Sequence, residues 1–143
     1  MTDDYFMAQA LAEAEKALAT DEIPIGAVVV FENQIIGRGY NQTERLRDVT
    51  AHAEMLALTA AANYLGNKYL SDCTLYVTIE PCVMCAGASY WAQLKAVVFG
   101  ADEPKVGFRR HGQLLHRRTQ LRGGIQAVAC AGLMQQFFSM KRK

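Results

Sequence analysis

The sequence predicts an α/β fold in which a mixed, partly parallel sheet carries helices on its faces. Two observations lead there. Short apolar runs of strand length recur along the chain, and stretches with helical spacing separate the later ones. A third sets the scale: 143 residues with 51% hydrophobic and 20% charged content can bury the core of one compact domain and are not those of a disordered chain.

Residues 4–19 place Met7, Leu11, Ala14 and Leu18 on one helical face. Asp21-Glu22-Ile23-Pro24 stops that helix, because proline disfavours helical backbone in the residue before it. Ile25 to Phe31 reads as a buried strand, Asn33 as a turn and Ile35 to Tyr40 as its hairpin partner. Thr50 is the expected cap of a helix from Ala51 to Tyr64, ending at Gly66. Thr74 to Ile79 is a third strand, residues 83–92 a helix and Ala96 to Gly100 a fourth strand. Residues 101–118 read as an irregular basic loop with one helical turn, Thr119 to Arg122 as a short fifth strand and Ile125 to Lys141 as a final helix. No repeat, low-complexity tract or linker interrupts the chain, so a single domain over residues 1–143 is expected.

The acidic start, Met-Thr-Asp-Asp-Tyr-Phe, is unlike a secretory leader. The longest apolar run, Ile25 to Phe31, is far short of the ~20 residues that span a bilayer. A soluble cytoplasmic protein is the expectation. There the four cysteines, Cys73, Cys82, Cys85 and Cys130, favour metal or redox chemistry over disulfides. Cys73 and Cys130 have no spacing that pairs them with another ligand and read as packing residues.

Charge is strongly segregated. Residues 1–103 hold all 14 acidic residues, whereas residues 104–143 hold nine of the 15 basic ones (Lys105, Arg109, Arg110, Arg117, Arg118, Arg122, Lys141, Arg142 and Lys143) and no acid. Such clustering is the footprint of a polyanionic partner or of a solvated basic tail.

The chemistry is concentrated in Thr50-Ala51-His52-Ala53-Glu54 and Glu80-Pro81-Cys82-Val83-Met84-Cys85. Cysteines at i and i+3 in a first helical turn point their sulfurs the same way. The helix N-terminus favours thiolate over thiol. With His52 they make three soft ligands, the number that leaves zinc's fourth position open for catalysis. Glu54, two residues beyond His52, is close enough to exchange protons with water there without being a ligand. His-x-Glu followed by Pro-Cys-x-x-Cys is the signature of zinc nucleobase deaminases. The chain is thus expected to be a hydrolytic deaminase, with His52, Cys82 and Cys85 as metal ligands and Glu54 as the catalytic proton shuttle.

The segments IPIGAVVV, GYN, TAHAEMLAL, LYVTIEPCVMCAGA, VVFGA and FFSMKRK resemble the bacterial tRNA adenosine deaminases of the cytidine/deoxycytidylate deaminase superfamily. The resemblance covers nearly the whole chain. It implies a cytidine-deaminase-like three-layer αβα sandwich with a mixed five-stranded central sheet, one zinc ion per chain, a homodimer and conversion of a wobble adenosine to inosine in an arginine tRNA anticodon. It also implies substrate contacts from Asn41, the Ala53 backbone amide and Glu103, and contacts to the anticodon stem-loop from Phe138, Lys141 and Arg142. For Phe137 and Phe138, core packing is the competing expectation. Relatives often carry an aspartate near position 103 and a basic residue where Ser139 stands, and Gly107 to Gln120 lacks their Gly-Ser-Leu run and Asn-His pair. Ser89 to Val97, with Tyr90-Trp91, is instead similar to guanine deaminases, which act on a free base; this is the alternative reading. Trp91 itself reads as a core or dimer residue.

Overall fold

The computed structural model describes residues 1–142. Among these, five strands form one mixed sheet: β1 (Gly26–Phe31), β2 (Gln34–Tyr40), β3 (Thr74–Ile79), β4 (Ala96–Ala101) and β5 (Gln120–Arg122). Their order is β2-β1-β3-β4-β5, with β1 antiparallel to both neighbours and β3, β4 and β5 mutually parallel. The hairpin joining β1 to β2 turns on Glu32 and Asn33, both at positive φ (49° and 64°), the backbone that tight hairpins demand.

Helices cover both faces. Alternate strand residues (Ala27, Val29, Leu75, Val77, Val97, Phe99) pack against α3 (Ala53–Leu65) and α4 (Val83–Ala92). Those between (Val28, Val30, Tyr76, Val98) pack against α1 (Asp3–Ala19) and α5 (Ala127–Lys141). This is the expected three-layer αβα sandwich. The parallel β3–β4 pair is joined by the crossover helix α4, and the parallel β4–β5 pair by residues 102–119.

Several local expectations are corrected. The buried residues of α1 are Phe6, Met7, Ala10, Glu13, Ala14 and Ala17, with Leu11 and Leu18 at the margin. The rotation follows from Gly26: a methyl group there would overlap the Ala10 carbonyl, so backbone lies almost on backbone and alanines face the strand. Thr50 does not cap α3. Its hydroxyl donates to Asp48 Oδ1 at 2.7 Å, and His52 occupies the N-cap position. A short helix, α2 (Thr43–Leu46), was not expected. The Glu22 carboxylate holds its start, accepting the backbone N–H groups of Glu44 (3.1 Å) and Arg45 (2.7 Å). The helical turn within residues 101–118 is a 3-10 turn at Phe108–His111. The last helix starts at Ala127 after Gln126 in the left-handed region.

Candidate metal centre and active site

β3 is central and runs towards Glu80-Pro81, where the chain turns into α4 with Cys82 at its N-cap. α3 begins nearby with His52 at its own N-cap. Two helix N-termini therefore converge at the carboxyl end of the parallel strands, where open α/β sheets place their ligands. His52 Nδ1 lies 3.6 Å from the sulfurs of both Cys82 and Cys85. The three donor atoms all lie within 4.8 Å of one another.

The electrostatics suit a cation. A hydrogen bond from the Cys85 thiol, then the facing His52 ring, pulls the Cys82 pKa down to about 4 against the effect of burial. The same bond to Cys82, reinforced by burial, pushes the Cys85 thiol up, and the Cys82 sulfur in turn raises His52. The surroundings thus favour a thiolate at Cys82, the form that binds a cation. One imidazole and two sulfurs are soft donors of the kind zinc prefers. They fit one zinc ion per chain.

Glu54 is buried, and burial raises its carboxyl to about 7. It lies at the wall of a cavity of about 460 Å³ that also includes His52, Ala53 and Cys82. Ile23, Ile25 and Ile79 make that wall largely apolar, Asn41 and Thr43 add polar groups, and Glu103 to Val106 and the α5 residues Met134 and Phe138 complete it. A mostly apolar cleft with a few convergent polar groups is the usual form of a small-ligand site.

The structure gathers most of the residues singled out from the sequence. Asn41 is buried; its amide nitrogen donates to the Ile23 carbonyl at 3.4 Å. Glu103 reaches the cavity, but its Oε1 accepts the Lys105 backbone N–H at 2.9 Å. Phe137 is buried while Phe138 is 43% exposed and lines the cavity, so the two phenylalanines divide the roles between them. Lys141 and Arg142 do not line it. Lys141 instead pairs with Asp21, and Arg142 donates to the Phe138 carbonyl. Lys143 lies outside the described residues. Trp91 is 74% exposed and is not a core residue, whereas Cys73 and Cys130 are buried and free.

The charge segregation is partly undone by folding. Arg109 pairs with Glu80 and Asp102, Arg122 with Asp3 and Lys141 with Asp21, each acid lying in the earlier part of the chain. Glu80 itself had no assigned role. Burial works against its charge, but the Arg109 guanidinium and the backbone N–H groups of Glu103 and Arg109 outweigh that and hold its pKa low. Its only sequence signal was its place before Pro81.

With this arrangement go the similarities to known proteins. Residues 1–101 match the cytidine and deoxycytidylate deaminase zinc-binding region, and the chain belongs to that family. A tRNA-specific adenosine deaminase of Streptococcus pyogenes (serotype M18, strain MGAS8232) is 45% identical over 145 residues, covering 97% of this chain and 91% of the relative. A solved structure from a study of A-to-I editing by tRNA:A34 deaminases at the wobble position superposes with a TM-score of 0.84 at 38% identity, covering 90% of this chain and 98% of the other. Guanine deaminase from Bacillus subtilis gives 0.70, also at 38% identity, over 78% of this chain and 71% of its own.

Proposed function

We propose that residues 1–143 form one zinc-dependent deaminase domain that converts the wobble adenosine of a tRNA anticodon to inosine, its substrate being an arginine tRNA with the anticodon ACG. The observation that carries this is the position of Glu54: a buried carboxyl, its pKa raised by burial, beside His52 and Cys82 in the wall of a cavity one base can enter. The named relatives supply the substrate class.

His52, Cys82 and Cys85 hold the metal. When bound, zinc supplies the Lewis acidity that makes water a nucleophile near neutral pH. Glu54 would take one proton from the attacking water and deliver it to the purine ring nitrogen; it would then take the second proton from the hydroxyl newly joined to the ring carbon and give it to the amino group, which leaves as ammonia as the carbonyl forms. The Ala53 N–H, at the start of α3 and without an intrahelical acceptor, faces the reacting base. The Asn41 amide nitrogen is engaged with Ile23, so its carbonyl oxygen is the group offered to the flipped nucleotide. Glu103 keeps its second carboxylate oxygen for the ribose. Phe138 offers a stacking surface at the cavity wall, and Arg142 and Lys141 serve the phosphates of the stem-loop. Ile23, Ile79 and Val106 exclude water around the base.

The test is turnover by purified protein of an ACG anticodon stem-loop and, separately, of guanine, adenosine and cytidine. Inosine formed in the RNA is expected. Turnover of guanine with none of the RNA would overturn the reading and favour the guanine deaminases, which the Ser89 to Val97 segment resembles. Glu54→Gln should lose nearly all turnover while keeping zinc and RNA. A binding module with a structural zinc would be indifferent to it.

We also infer a homodimer formed through the α3–α4 face. Trp91 stands exposed beside a hollow of about 320 Å³ lined by Met55, Leu58, Ala62, Leu70 and Ala88, with Tyr64 and Val83 also exposed on these helices. Exposed apolar surface of this kind marks an association site. Trp91→Glu should yield monomers in sedimentation velocity. Among the described residues no helix is long and apolar enough to cross a membrane, consistent with work in the cytoplasm, where tRNA is found.

A further inference from the structure

One wall of the cavity, residues 103–106, is a strap with no secondary structure of its own holding it to the sheet. It is tied down at both ends to a single segment, Glu80-Pro81-Cys82. At the near end, Glu80 Oε1 accepts the Glu103 N–H at 3.1 Å. At the far end, the Phe108 N–H donates to the Pro81 carbonyl at 2.9 Å, and Gly107 pairs with Cys82 as an isolated β-bridge. The strap lies so close to Glu80 that a methyl group at Gly107 would overlap the carboxylate.

Arg109 closes this arrangement. Its backbone N–H donates to Glu80 Oε2 at 3.1 Å and its guanidinium to Oε1 at 3.0 Å, while the same guanidinium reaches Asp102 at 2.8 Å and lies over the Phe99 ring, 4.8 Å from its centroid. The two carboxylate partners differ in kind. Asp102 is 71% exposed, so its ion pair contributes little. Glu80 is 3% exposed, and its charge depends on Arg109 and two backbone N–H groups. Arg109 does not line the cavity.

We propose that Arg109 is a positioning residue for the substrate: through Glu80 it fixes the 103–106 strap as a wall of the cavity, and so sets how tightly the nucleotide is received rather than how fast it is converted. The claim about substrate rests on the reading above; the claim about the strap does not. Lysine replaces arginine only in part here, because a single ammonium can engage Glu80 but cannot also lie flat over Phe99.

The experiment compares the zinc-loaded wild type with Arg109→Ala, Arg109→Lys and Asp102→Asn. The assays are anticodon stem-loop turnover, zinc content and backbone hydrogen exchange. Arg109→Ala should raise KM roughly tenfold with kcat within about twofold, as expected when binding groups are misplaced and the chemistry is left alone. Zinc should stay at one per chain, and exchange should quicken at Glu103, Lys105 and Gly107. Arg109→Lys should fall between, and Asp102→Asn should behave as wild type. Unchanged KM and unchanged exchange in Arg109→Ala would overturn the proposal. So would a fall in kcat together with zinc at constant KM, which would mean that Arg109 supports Cys82 instead. If the wild type does not turn over the stem-loop, the substrate reading fails, and hydrogen exchange still decides the role of Arg109.

Discussion

Lys141 Nζ lies 2.7 Å from the Asp21 carboxylate, joining the last turn of α5 to the turn that follows α1. Both side chains are about half exposed or more, so the pair contributes at most about 1 kcal/mol. To contact a phosphate, Lys141 must leave Asp21, whereas the Arg142 side chain gives up only a 3.3 Å bond to a carbonyl. Each phosphate neutralised changes the slope of log K against log salt by roughly 0.7 to 0.9. Arg142→Ala should therefore flatten the salt dependence of stem-loop affinity by about that much, and Lys141→Ala by less. Identical slopes in all three proteins would remove this end of α5 from the RNA interface.

Asp3 gives a pH prediction. Its carboxylate accepts two bonds from Arg122 (2.9 and 3.0 Å) and one from the Tyr76 hydroxyl (2.7 Å), binding the first turn of α1 to β5 and β3. Arg122 is the main cause of its lowered pKa, with burial opposing. A carboxylate whose folded pKa lies below 3.8 adds stability above pH 3.8, and that increment disappears as pH falls through the folded value. Asp3→Asn should thus be less stable than wild type by about 1 kcal/mol at pH 7, and the gap should shrink towards pH 3. Urea midpoints at the two pH values measure it. A gap that widens in acid would refute the assignment.

Gly39→Ala tests how closely α3 sits on β2. An added methyl group would overlap the Ala53 carbonyl, forcing the first turn of α3 outward. Overpacking of this kind costs about 1–3 kcal/mol. Because His52 and Glu54 ride on that turn, turnover should fall with stability; a thermal melt and a stem-loop assay should both register the change. A stable, fully active variant would mean that α3 shifts without consequence.

Removing the metal should separate activity from fold. Chelation should abolish turnover and lower Tm, since metal affinity is folding free energy wherever the site is formed only in the native state. Far-UV circular dichroism should persist, because both apolar clusters are complete without a metal. Cys73→Ala with Cys130→Ala should still carry one zinc per chain. Activity in metal-free protein, or loss of zinc from the double variant, would contradict these assignments.

The strands and the ligand set were legible because both are local. Val28 to Val30 and Leu75 to Val77 announce buried strands, and the spacing of Cys82 and Cys85 is a short-range pattern. What escaped depends on contacts distant in sequence. α2 is four residues long with no periodicity, and the carboxylate that holds it comes from Glu22. Thr50 is the residue type that caps helices, but its hydroxyl is taken by Asp48 and α3 starts after His52 instead. The face of α1 is set by the missing side chain of Gly26, whose closeness to Ala10 nothing local to the helix reveals. The basic C-terminal part looked uniformly free because Asp3, Asp21 and Glu80, which pair with three of its cations, stand between 29 and 120 residues away.

His52 follows β2 and Cys82 follows β3, yet these strands are not neighbours; β1 lies between them. The stretch that carries the three donors, residues 52–85, lacks β1 and so does not by itself hold the two helix starts together. Only after β1 has paired on both its edges do the two helix starts face each other. Tight zinc binding is therefore expected to report on the pairing of β1 with both β2 and β3, whereas β4 and β5 lie beyond the stretch of chain that carries the donors.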